Sequence, residues 1–132
     1  MLTAFRSLES HWRPPLLAGV LLLVGGLVPS PFERRAAFER VGPDKALHFV
    51  GHGGFAVATA QACAAEGYSR TGAACVAVAL STGLGACIGV LQRPVPGRMP
   101  ERADFVAGTF GSLAAVGYWL LGGHNSRSDS TT

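Results

Sequence analysis

The chain has 132 residues, of which 48% are hydrophobic and only 14% charged, with a formal net charge of +3. A soluble domain carries roughly 25% charged residues, and here the basic residues stand singly at the ends of apolar runs, so anionic headgroups account for the excess charge and no nucleic-acid partner is expected. The same layout leaves no connection long enough for a second domain, and residues 1–123 are read as one unit. The predicted elements are four apolar stretches, Leu16–Val28, Ala46–Ala65, Thr71–Leu91 and Phe105–Gly123, none with Asp, Glu, Lys or Arg in its interior. Crossing a bilayer takes roughly 20 mostly apolar residues, about 17 at the short end. The expected fold is all-α, a four-helix transmembrane bundle with antiparallel neighbouring helices, in a multi-pass protein of the cell membrane.

Helix one is predicted to start at Pro14 or Pro15, where a missing amide proton costs nothing, and to end before Pro29. Arg6 and Arg13 before an apolar run invite a signal-peptide reading, but Leu27 and Val28 fill the places where a cleavage site needs small residues, so a retained first helix is expected. Pro31–Gly42 mixes Glu33, Arg34, Arg35, Glu39 and Arg40 with Phe32 and Phe38, the pattern of a short amphipathic segment at the interface. Helix two opens at Asp44, whose carboxylate suits a helix N-terminus, and closes at Ala65 before Glu66–Arg70. That turn is short enough to send helix three back antiparallel.

Helix three carries Gly85-x-x-x-Gly89 and helix four Ala107-x-x-x-Gly111, spacings that align small residues on one face and let backbones approach. They also offer faces for a homo-oligomer. Cys63, Cys75 and Cys87 fall inside the spans, without disulfide or metal spacing, and read as small packing residues. The tail 124–132, rich in Ser and Thr, is expected to be disordered. The two longer loops carry more Lys and Arg than the other side, which places them in the cytoplasm by charge bias. The bias largely vanishes if some of those charges form a site.

Antiparallel threading brings the start of helix two, the end of helix three and the start of helix four to one membrane surface. Asp44, Lys45, His48, His52, Gln92, Arg98 and Asp104 are therefore the candidate ligand-binding residues. Along helix two, steps of four residues turn by only about 40°, so Asp44, His48, His52 and Thr59 form a stripe that should face the interior. Ionisable groups at membrane depth are costly against lipid and mark sites or pair with one another. Arg98 can grip a carboxylate or phosphate with two hydrogen bonds, and Asp104 can hold Arg98 or Lys45 in place. Gln92 is suited to bridging these groups. His48 and His52 at i and i+4 lack a third ligand at fixed spacing, so no metal is expected, and no cofactor motif is present.

These residues, in this order, resemble the VanZ-like family of small membrane proteins. Asp44-Lys45-Ala46-Leu47-His48-Phe49, Gln92, Arg98, Asp104 and Gly111 match its pattern of DKxxHFxxY, ExxQ, an Arg six residues before an Asp, and DxxxNxxG, across about 43–111. His52 stands where the pattern has Tyr, Gly89 where it has Glu and Gly108 where it has Asn. The resemblance implies a membrane location and a polar site rather than a defined reaction. Three functions are open at this point. The first is binding of an anionic or polar headgroup of a membrane lipid or lipid-linked cell-envelope intermediate, with Lys45 and Arg98 on the anion. The second is an enzyme using His48 as general acid or base, oriented by Asp44 or Asp104, on a phosphate or ester. The third is an assembly subunit docking through its small-residue faces.

Overall fold

The computed structural model describes residues 2–28, 43–96 and 102–128. Among them are four helices and no strand: α1 (Leu2–Leu27), α2 (Pro43–Ala65), α3 (Arg70–Leu91) and α4 (Arg102–Ser128). The expected amphipathic segment Pro31–Gly42 lies outside the described residues. Two helices, α3 and the Arg102–Gly122 part of α4, are long and apolar enough to cross a membrane. The other two are more dilute: α1 has its polar residues His11 and Arg13 and two prolines ahead of Leu16, and α2 interrupts its apolar run with His48, Gly51, His52, Gly53 and Gly54.

The first helix starts earlier than its sequence predicts. Pro14 and Pro15 lie inside α1, although each removes an amide donor and the carbonyls of Ser10 and His11 lose their helical partners. The turn before the prolines is held from outside the helix. His11 Nε2 lies 2.6 Å from Glu66 Oε1, and Trp12 Nε1 donates to the same oxygen at 3.3 Å. Glu66 sits in the α2–α3 turn, so this contact fixes α1, at its His11–Trp12 turn, against the last end of α2.

The α2–α3 turn forms where the sequence places it. Gly67 takes φ +95°, a region open to glycine and costly for other residues. Around it, the amide of Tyr68 donates to the Cys63 carbonyl and that of Gly67 to the Ala64 carbonyl, both at 3.1 Å, which closes the carbonyl end of α2 in a Schellman arrangement. Ser69 then caps α3, its hydroxyl accepting from the Gly72 amide at 3.0 Å. At the other end of the chain, α4 runs on to Ser128, so the first part of the expected tail is helical. Residues 129–132 lie outside the described residues.

Helix α2 packs against each of the other three, while α1 leans on α2 and, less extensively, on α3. Small residues make these approaches possible. A Cβ added to Gly111 would overlap the Phe49 backbone of α2, and one on Gly53 would meet the Gly111 carbonyl oxygen at 3.1 Å and the Ala115 side chain at 3.2 Å. The device read from Ala107-x-x-x-Gly111 thus serves contact within the chain. Gly85 also faces inward, against His52, whereas Gly89 has open space beside it.

Burial follows an inverted order. Ala56, Ala60, Ala74, Ala77 and Val116 form the apolar core, and the largest fully buried side chains are Thr59, Ser81 and Ser112. Leu17 (64% exposed), Val50 (70%), Leu80 (49%) and Leu113 (51%) put large apolar groups outward on all four helices. Of the cysteines, Cys63 is packed inside, but Cys75 and Cys87 are exposed, which corrects the expectation that all three serve internal packing.

Candidate functional site

The stripe along α2 does face inward. His52 and Thr59 are buried, 3% and 1% exposed, and His48 is partly covered nearer the helix start. Parallel packing of α2 and α4 sets the residues at the two helix starts opposite one another. His48 Nε2 lies 3.7 Å from Asp104 Oδ2, with each side chain 16% exposed. That separation is longer than a hydrogen bond. It is an electrostatic contact whose attraction is fullest when the imidazole carries a proton.

One turn deeper, the imidazoles of His48 and His52 stack with ring centroids 6.0 Å apart and planes 20° from parallel. His52 is locked between α3 and α4 by glycines: a Cβ at Gly108 would stand 2.8 Å from its Cδ2, and one at Gly85 3.3 Å from its Cε1. The ring occupies the volume that side chains at those positions would need. Its Nδ1 is 2.9 Å from Ser81 Oγ, Ser81 Oγ is 2.7 Å from Ser112 Oγ, and Ser112 Oγ is 2.9 Å from the Gly108 carbonyl oxygen. Ser112 donates to Ser81, Ser81 shares a hydrogen bond with the His52 ring, and the Ser112 hydroxyl also lies within reach of the Gly108 carbonyl. The result is one polar knot joining α2, α3 and α4 below the His48–Asp104 pair.

The remaining candidates divide. Lys45 stands half-buried at the start of α2, on the same end as His48 and Asp104. The side chain of Asp44 and the whole of Arg98 lie outside the described residues. Gln92 is buried at the same end but serves a different neighbour: its Nε2 donates to the Gly26 carbonyl at 2.9 Å, closing the carbonyl end of α1. Its amide nitrogen thus has a partner on α1, outside the charged group it is expected to bridge. A helix end has carbonyls in need of donors, and α1 ends within reach of Gln92. Among the described residues no group of three or more His, Cys, Asp or Glu side chains converges as a metal site.

Ser81 and Ser112 lie outside the candidates that the sequence offers. The signal in the sequence is a mid-helix hydroxyl four residues after a small residue, Ser81 after Ala77 on α3 and Ser112 after Gly108 on α4. The opposite end of the molecule holds further contacts that the sequence does not announce. There the Arg70 guanidinium lies 4.1 Å from the centroid of the Trp119 ring and donates to the Trp119 carbonyl at 2.5 Å. Near it, the hydrogen bond from His11, helped by that from Trp12, holds the Glu66 carboxyl below the usual carboxylate range. No family model, curated protein or solved structure matches the chain.

Proposed function

We propose that all four helices span a cell membrane as a multi-pass bundle, and that the end carrying Lys45, His48 and Asp104 binds the anionic or polar headgroup of a membrane lipid or lipid-linked cell-envelope intermediate. The observation that carries this reading is the inverted burial: hydroxyls and alanines inside, Leu and Val outside on every helix, joined by Phe on α2 and α4. In water such a surface is an aggregation liability. In lipid it is the solvated face, and the interior follows the preference for small residues and cross-helix hydrogen bonds. The His48–Asp104 pair, set at a helix-start end rather than in the middle of the bundle, is where an external polar group gains most from an imidazole held by a carboxylate. Lys45, and Arg98 from the adjoining loop, supply the positive charge.

Kinship with the VanZ-like family belongs to the same proposal. Two of the three departures from that pattern, His52 and Gly108, touch each other. The imidazole occupies the space beside Gly108 that a side chain there would need, so this ring position excludes the Asn of the pattern. The contact of His48 with Asp104 also favours a second reading, a general acid or base at the interface with its orienting carboxylate.

Native mass spectrometry in mixed lipids tests the binding. Lys45→Ala and Arg98→Ala should each lower retention of anionic lipid several-fold against wild type, and equal retention counts against the reading. Turnover of phosphate- or ester-bearing lipids that disappears in His48→Gln would move the function to the enzymatic alternative.

A further inference from the structure

We propose that the ligand of the His48–Asp104 end is a bilayer lipid, taken sideways from the leaflet opposite the aromatic end, with its polar group drawn below the ordinary headgroup plane. This rests on the membrane reading above and specifies its ligand. The chain has two Trp and two Tyr residues, and all four lie at one end. Trp12 meets Glu66, Tyr68 is in the α2–α3 turn, Trp119 lies against Arg70, and Tyr118 beside it is 81% exposed. Such rings collect at membrane–water boundaries, where an apolar body and a polar edge are both satisfied. This end marks one boundary.

Helix geometry then sets the depth of the pair. From Trp119 to Asp104 along α4 is about 22 Å, and from Ala65 to His48 along α2 about 26 Å, at a rise of about 1.5 Å per residue. The hydrocarbon core is about 30 Å thick, so His48 and Asp104 fall about 4–8 Å short of the far boundary, and tilt takes them deeper. An ionisable pair at that level is costly against acyl chains. Arg102 and Lys45, just outside it, can extend their charged heads toward the boundary, and the leaflet can thin to meet them. Polar lipid groups are the solvent nearest to hand. The exposed side chains Leu47, Phe49, Val50, Phe105 and Val106 flank the pair. They suit an acyl chain lying alongside while the headgroup region meets the imidazole and carboxylate, whereas a dissolved anion would have to leave water to reach the same place.

The test uses the full chain in vesicles of phosphatidylcholine and phosphatidylglycerol, with Cys63, Cys75 and Cys87 replaced by alanine and a nitroxide attached at Leu47→Cys or Tyr118→Cys. Relative collision with oxygen and a water-soluble nickel chelate reports depth. The label at 118 should sit at one boundary, and the label at 47 across the midplane and inside the hydrocarbon, with nickel access several-fold lower than for a label in water. Full nickel access at 47, or both labels in one leaflet, overturns the proposal. The unaltered protein gives a second reading through Trp12 and Trp119: lipids brominated near the glycerol should quench them more strongly than lipids brominated at the chain ends, and the reverse overturns the depth assignment. Retention of phosphatidylglycerol should fall several-fold in Asp104→Ala and should not be displaced by inorganic phosphate. Displacement by phosphate overturns sideways uptake while leaving headgroup binding intact. Unchanged retention in Asp104→Ala, with position 47 at the expected depth, overturns the binding reading and this proposal together.

Discussion

The two ends of the bundle are held by different chemistry. At the aromatic end, Glu66 joins His11 and Trp12, and Arg70 covers Trp119, so long polar side chains tie helices together at the surface. At the other end the ties are short and buried: Gly111 against the Phe49 backbone, His52 between Gly85 and Gly108, and a hydrogen bond from Ser112 to Ser81. The lesson is that an end built from missing side chains is rigid, since nothing there can swing aside. An end built from long side chains tolerates rearrangement. The rigid end is the one that carries His48 and Asp104, and a fixed geometry there is what the proposed recognition would need.

Substitutions should separate the ends. Gly111→Leu forces a side chain into the α2 backbone, which no rotamer relieves, and should cost about 3 kcal/mol or more, read as a lost folded state on unfolding in mild detergent. Gly54→Ala, on the same bundle but facing open space, should leave the unfolding midpoint unchanged. If both behave alike, close approach is not what holds α2 to α4. Ser112→Ala removes the middle of the polar knot and should cost about 1 kcal/mol, the scale of cross-helix hydrogen bonds in lipid.

The fold and the site differ in how far they can be read from residues alone. The end of α2 at Ala65 and the start of α3 at Arg70 are legible because Gly67 and Ser69 act locally, one as a left-handed stop and the other as a cap. The inward stripe of His48, His52 and Thr59 is legible because helical periodicity sets it. The start of α1 is not, because what carries the helix through Pro14 and Pro15 is a contact with Glu66, distant in sequence. The α1 contact of Gln92 is hidden for the same reason, since its partner carbonyl belongs to a helix that ends far earlier in the chain. Ser81 and Ser112 are not legible because Ser81 beside Thr82 and Ser112 near Thr109 look alike in sequence until three helices bring the polar atoms of His52, Ser81 and Ser112 to one point.

Smaller effects belong to the aromatic end. Arg70→Ala gives up both the ring contact and the donation to the Trp119 carbonyl, and should cost about 0.5–1 kcal/mol by the same unfolding assay. Glu66→Gln should change mainly the acid limb. Because the folded-state carboxyl is held below its ordinary range by His11 and Trp12, its contribution is present above the unfolded value and lost as pH falls through the folded one. Midpoints of wild type and Glu66→Gln should therefore differ at neutral pH and converge on acidification beneath the carboxylate range. A gap that widens toward acid would reverse the assigned sign.

The measurement closest to the central claim is thiol accessibility in sealed vesicles at Leu17→Cys, Val50→Cys, Leu80→Cys and Leu113→Cys, one position on each helix, with the native cysteines replaced. Lipid-facing spans predict that a membrane-impermeant maleimide labels none of the four until detergent is added. Ready labelling of α1 and α2 in intact vesicles would contradict the four-span reading, and ready labelling at all four positions would place the exposed apolar faces in water.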